Sequence, residues 1–358
     1  MGTLFDYMDW RGDISFSEVG ITEVDNLVFS QISYVDMKGI VPVSFSAKPV
    51  RFLAAAKKYM REHNGEHVSL GAIMPTEIIT LLTRAARTSR FANTSIVGYV
   101  NSVSDNQQKQ FSAMTFLLDD SCFVAFRGTD DTIIGWKENL NMSFMSPIPA
   151  QTEAVEYLEG VAAAFPDKKI YVGGHSKGGN LAVWSAVKCA PNVNSRIEKV
   201  YNNDGPGFNL EFIQSEEYLA TRDRIHTLIP QTSIVGMLLE HEENYEVVKS
   251  TNTGLLQHNA FSWEVMGGKF IHTDSVTEES RRIDTTVKSW LSEMSIEKRR
   301  EMIDSIYEIL SSTNAKTLTD LNADKLKLVK AWNNLDSESR TFIRRFVTLI
   351  VKNTKKPQ

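Results

Sequence analysis

The chain has 358 residues, 42% hydrophobic and 23% charged, and its 39 basic and 44 acidic side chains give a formal charge of −5. With no long basic run before the last few residues, that balance excludes a nucleic-acid-binding surface, and the composition excludes disordered, collagenous and low-complexity chains. Cys122 and Cys189, both in apolar stretches, rule out a disulfide framework and a multi-cysteine zinc site and read as buried free thiols. The opening Met1–Asp13 has early acids and no apolar signal region, and Asp6 stands where a myristoylation motif wants Ser or Thr. No run approaches the roughly 18 apolar residues of a membrane span. The expected location is therefore the cytoplasm, which leaves peripheral membrane contact open.

Residues 1–95 read as mixed, mostly helical structure, with Pro75 opening a helix whose apolar face is Ile78, Ile79, Leu81, Leu82 and Ala85. The period then changes. Ser95–Ser104, Gln110–Leu118 and Ser121–Phe126 predict three strands, with turns at Asp105-Asn106 and Asp119-Asp120. Gln151–Phe165 predicts a helix, Lys169–Gly173 a strand and Gly179–Cys189 a helix. Arg196–Asn203, Arg224–Ile229 and Tyr245–Lys249 predict further strands. This alternation argues for a mostly parallel sheet covered by helices. Beyond residue 272 the pattern is purely helical. Ser295 is placed to cap one helix and Asp336 or Ser337 another, with a Lys/Leu-rich segment, Ala323–Trp332, between them. The expected organisation is a domain over 1–272 and a helical appendage over 273–358. The appendage packs on the domain as structure, or serves as a cap or partner surface.

The motif that carries chemistry is Gly174-His175-Ser176-Lys177-Gly178, a G-x-S-x-G after an apolar strand and before an amphipathic helix. In a nucleophile elbow, small residues two before and two after let the chain turn sharply at the serine, and the helix N-terminus points free N–H groups at the reaction centre. Phe126-Arg127-Gly128-Thr129 ends a strand upstream, where the second half of an oxyanion hole belongs. The expected donors are the amides of Lys177 and of Thr129 or Gly128.

The F-R-G-T strand end and the G-H-S-x-G-G elbow resemble those of fungal-type triacylglycerol lipases, over about residues 95–265. The whole chain, with Asp6-Tyr7 and Trp10-Arg11-Gly12-Asp13 at its start, is similar to a bacterial family of uncharacterised lipase-like hydrolases. The resemblance implies an α/β-hydrolase fold with a triad in the order Ser, acid, His. His258 fits the base: it lies in a loop between the Tyr245–Lys249 strand and apolar Phe261–Val265, with His241 and His272 as alternatives. For the acid, pancreatic-type lipases use the strand end after the nucleophile helix, which here is Asp204 in Asn203-Asp204-Gly205-Pro206. Fungal-type lipases use the next strand end, which here, in Leu228–Val235, has no carboxylate. Asp204 is therefore expected, with Glu240 or Glu242 as alternatives and a turn-forming role for Asp204 as the other reading.

Lys177 opposes the helix macrodipole by about 0.3–1 kcal/mol. It reads equally as a solvent-exposed side chain or as a cation at a pocket rim favouring an anionic substrate. Ser233–Leu239 reads as core, or as a lid or acyl-binding wall. Trp136 lines the pocket or anchors its own helix. The chemistry expected is cleavage of a carboxylic ester, small or lipid-like, through an acyl-enzyme with no metal or organic cofactor. The competing readings are a non-catalytic binding module, and an acyltransferase or peptidase on the same fold.

Overall fold

The computed structural model describes residues 2–64, 71, 74–240 and 243–311, with a few positions between 315 and 344. Its frame is a nine-stranded sheet in the order β1-β2-β3-β4-β5-β6-β7-β8-β11. The strands are β1 (Val50–Arg51), β2 (Ser95–Ser104), β3 (Lys109–Leu117), β4 (Ser121–Phe126), β5 (Lys169–His175), β6 (Ile197–Asn203), β7 (Ile225–Pro230), β8 (Tyr245–Val248) and β11 (His272–Thr273); β9 (Val265–Met266) and β10 (Lys269–Phe270) form a separate hairpin. Strands β4 to β8 run parallel, and the outer pairs are antiparallel. This is the α/β-hydrolase fold: a mostly parallel sheet with helices on both faces, its central strands buried on each side.

Two layers of helices cover the sheet, and different parts of the chain supply them. On one face lie α1 (Leu4–Arg11), α2 (Glu23–Ile32), α3 (Phe52–Glu62), α4 (Glu77–Ala85) and the short α5 (Ser89–Ala92). They bury Tyr7, Leu27, Phe29, Phe52, Ile79 and Phe91 against Phe116 and Phe123 of the sheet. A buried ion pair fixes this layer. Arg90 donates to both Asp25 oxygens at 2.8 and 2.5 Å, and to the carbonyls of Ile14, Ser15, Val19 and Gly20. Tyr7 of the opening motif donates to the same Asp25 at 2.7 Å. The N-terminal helices thus form the layer on this face of the sheet.

The other face is covered by α7 (Pro149–Ala164) and α8 (Lys177–Lys188), which bury Leu158, Val161, Leu181 and Val183 against Val124, Val172 and Val200. Between β4 and α7 lies α6 (Ile133–Asn141), capped by Thr132 Oγ1 at the Gly135 amide, 3.2 Å away. Three short helices, α9 (Pro191–Asn194), α10 (Leu210–Ile213) and α11 (Glu216–Thr221), fill the crossovers.

Of the segment expected as an appendage two helices are described, α12 (Glu278–Ser292) and α13 (Ile296–Ser311), the latter with the Lys298 amide donating to Ser295 Oγ as a cap. The second expected appendage helix and most of Ala323–Trp332 lie outside the described residues. α13 packs on α6, where Lys137 Nζ lies 2.8 Å from Asp304 and over the Tyr307 ring. α12 packs on the loop after β7, where Ser280 Oγ donates to the Ser233 carbonyl at 2.5 Å. Both free cysteines, Cys122 and Cys189, are buried, and burial pushes each thiol up to about 12. Among the described residues no helix is long and apolar enough to cross a membrane.

Candidate active site

β5 runs into α8 at Ser176. The serine has φ 59° and ψ −133°, a conformation L-residues rarely adopt, and α8 starts at the next residue. The turn is possible because nothing larger than glycine fits around it. A Cβ on Gly174 would fall 2.2 Å from the Gly178 carbonyl carbon, and one on Gly178 would fall 2.2 Å from Phe126 O. Closing the chain this tightly lifts Ser176 out of the sheet and puts the strand-end loop of β4 beside it. A Cβ on Gly128 would lie only 3.1 Å from Ser176 Cβ and 2.5 Å from the His175 carbonyl. Lys177 is the first residue of α8, so its amide has no acceptor within the helix.

The strand ladder sets the acid. Ser176 N donates to Asn203 O at 2.9 Å, and Asp204 N donates to Leu228 O at 2.8 Å, so Asp204 stands at the carboxyl end of β6 between two parallel neighbours. Its φ of 51° turns the chain out of the strand. His258, ending a 3-10 turn over Gly254–His258, donates from Nδ1 to Asp204 Oδ2 at 2.6 Å. The other oxygen, Oδ1, accepts from Ser233 Oγ at 2.5 Å and from the Gly236 amide at 3.1 Å. The buried carboxylate is thereby held in one orientation, and the His258 side chain remains 26% exposed. Among the described residues no hydrogen bond joins Ser176 Oγ to His258.

The alternatives for base and acid are engaged elsewhere. His272 lies on β11 between Glu23 and Glu246, at 3.2 and 3.3 Å. His226 is in β7 against Tyr201. Glu240 pairs with Lys288 of α12. His241 and Glu242 lie outside the described residues. Glu23, Glu246 and His272 are the described carboxylates and histidine placed closely enough to suggest a cation site. Each ring nitrogen already faces its own carboxylate, however, so the cluster is a polar bracket at the sheet edge, away from the elbow.

Three sequence expectations need correction or refinement. Neither reading of Lys177 holds. Its side chain is 0% exposed and ends 2.8 Å from Glu138, which is equally buried. The carboxylate neutralises the cation, which removes the conflict with the macrodipole. To the reading of Ser233–Leu239 as core, lid or wall the structure adds a contact: Ser233 and Gly236 supply two of the donors that hold Asp204. Trp136 is 38% exposed on α6, and Thr132 Oγ1 caps that helix.

The structure adds residues that pattern reading had no means to find. His175 is buried, and burial, with His258 close by, pushes its imidazole down to about 3. Kept neutral, it offers Nε2 to the His258 carbonyl at 2.9 Å, and its ring lies 4.6 Å from the His258 ring. Tyr34, after α2, places its hydroxyl 3.4 Å from His175 Nδ1 and against the Gly128 amide. Asn180, one turn into α8, donates to the Pro206 and Gly207 carbonyls at 3.0 Å each and accepts from Gln151 at 2.8 Å. These contacts arise between residues far apart in sequence, so no local signal announces them.

Structural neighbours include a fungal lipase solved with an inhibitor (14% identity, 64% of this chain and 80% of that one, TM-score 0.39) and lipase II from Rhizopus niveus (13%, 78% and 94%, 0.39). They also include M37 lipase (14%, 91% and 97%, 0.36). No functionally curated protein is significantly similar in sequence. Residues 85–308, more than half the chain and the run from the last residue of α4 through the elbow into α13, match the family described as Mbeg1-like, and the chain belongs to that family.

Proposed function

We propose that this protein is a serine hydrolase that cleaves a carboxylic ester, small or lipid-like, through an acyl-enzyme. The observation that carries the reading is the 2.6 Å bond from His258 Nδ1 to Asp204 Oδ2 beside a serine held at φ 59°. Ser176 Oγ attacks the ester carbonyl and passes its proton to His258 Nε2. Asp204 keeps Nδ1 protonated, so Nε2 is the nitrogen free to accept, and it stabilises the imidazolium that forms. The carbonyl oxygen gains negative charge between the Lys177 and Thr129 amides, each such donor being worth about 2.7–4 kcal/mol in the transition state. His258 then returns the proton to the leaving alcohol, and water repeats the sequence on the acyl-serine.

The test is labelling with a fluorophosphonate probe and turnover of p-nitrophenyl esters. Wild type should label at Ser176, and Ser176→Ala should lose both activities, by about 10⁶ in kcat, at an unchanged thermal midpoint. An unlabelled wild type would favour a non-catalytic binding module, and a fully active Ser176→Ala would overturn the assignment.

A further inference from the structure

We infer that the buried Lys177–Glu138 pair is a positioning device that holds the two halves of the oxyanion hole in register, an inference that rests on the serine-hydrolase reading above. The three ammonium protons of Lys177 are all used: Nζ donates to Gln110 O at 2.5 Å, Gln110 Oε1 at 2.7 Å and Glu138 Oε2 at 2.8 Å. Glu138 is fully used as well. Its Oε2 accepts the Gln110 amide and its Oε1 accepts the Ala150 amide at the start of α7, each at 3.0 Å. Both side chains are 0% exposed. One ion pair thus joins the nucleophile helix α8, the strand β3, the helix α6 and the first turn of α7.

What it joins is specific to the reaction. Lys177 carries one oxyanion donor on its own backbone. Glu138 lies on α6, the helix that the Gly128–Thr129 loop enters, and the next residue, Asn139, donates through Nδ2 to Thr129 Oγ1. The path from Lys177 through Glu138 and Asn139 to Thr129 closes a ring whose two ends are the two donor amides. Stability gives little reason for such a ring. A buried ion pair seldom contributes more than a well-packed apolar pair of the same volume, since desolvation offsets the attraction. A lysine in the first turn also starts at a disadvantage against the helix dipole. What a fully hydrogen-bonded ion pair does supply is a fixed distance. Oxyanion stabilisation depends on donors being set before the charge appears, and misplacement by about 1 Å costs on the order of 10²-fold.

The experiment compares wild type with Lys177→Met/Glu138→Gln, a double change that removes both charges at similar volume and leaves an amide oxygen for Gln110 N or Ala150 N. Folding is followed by the thermal midpoint, chemistry by p-nitrophenyl-ester kinetics. The folded double variant should lose about 10- to 100-fold in kcat with KM changed less than about threefold. A purely structural pair would lower the midpoint and leave kcat per folded molecule as it was, and that result overturns the inference. Asn139→Ala leaves the ion pair intact and opens the same ring elsewhere. It should lower kcat by about 10-fold, and combining it with the double change should cost little more than the larger loss, because one ring is broken once. Wild-type kcat in folded Asn139→Ala overturns the inference even where the double variant does not fold. Wild-type protein that takes no fluorophosphonate label defeats the hydrolase reading itself, whereas labelled protein with an indifferent double variant defeats only the positioning role.

Discussion

The two flanks of the nucleophile helix are held by different forces. On the acid flank, Asp204 ends a strand that has parallel neighbours on both sides, and ladder bonds from Ser176 N and Asp204 N fix it. Side chains there need only add neutral contacts, from Asn180 to two carbonyls and from Ser233 to the carboxylate. On the flank of the proposed oxyanion donors the chain leaves the sheet at Phe126, and the Arg127 amide, bonded to Ser112 O at 2.9 Å, continues the ladder. The loop beyond it is placed by side chains: the Lys177–Glu138 pair, Asn139 on Thr129, and Tyr34 under Gly128. Where the sheet itself sets the position, ordinary hydrogen bonds suffice. Where the chain has left the sheet, a buried ion pair takes over.

The sharpest way to break this contrast is Asp204→Asn. The ladder should keep the backbone in place while the wrong imidazole tautomer lowers kcat by about 10⁴, with KM little changed. Steady-state kinetics with wild-type turnover would reduce Asp204 to a turn former. Next comes a control in the N-terminal layer. Asp25→Ala leaves Arg90 as an uncompensated buried cation and should cost about 3–5 kcal/mol in urea unfolding, with kcat per folded molecule retained. A selective loss of kcat there would mean that buried ion pairs in this protein report on activity wherever they lie. Ser233→Ala removes one of the two donors to Asp204 Oδ1 and should lower kcat by about 10-fold, or roughly 1.4 kcal/mol. A larger effect than that of Asp204→Asn would show that the loop, not the strand end, places the acid.

A further prediction concerns pH and stability rather than turnover. His175 is pushed from 6.5 down to about 3 in the folded protein. Between those values the unfolded chain binds a proton that the folded one refuses. Its contribution is therefore complete above about pH 6.5 and declines as pH falls toward about 3, by up to about 1.4 kcal/mol per unit. His175→Gln, which keeps an N–H for the His258 carbonyl, should have a shallower loss of stability over that window than wild type. Parallel unfolding curves from pH 6.5 to 4 would show that His175 is not the responsible group.

Much of the frame is legible in the sequence. Alternation and turn residues place β2 and β4 at the observed bounds and most other sheet strands within about two residues, because a strand buried on one or both faces writes its period directly into the chain. The edge strands β1 and β11 and the β9–β10 hairpin, two residues each, are too short to carry a period. The elbow is legible for a steric reason: only small residues survive where Gly174 and Gly178 meet. Ser176, Asp204 and His258 can be nominated from motif, strand end and chain order. The tertiary structure alone decided which carboxylate meets His258. It also decided that Lys177 points inward. A lysine looks the same in sequence whether its ammonium meets water or Glu138, and the difference is made by a carboxylate 39 positions away that the fold brings to 2.8 Å.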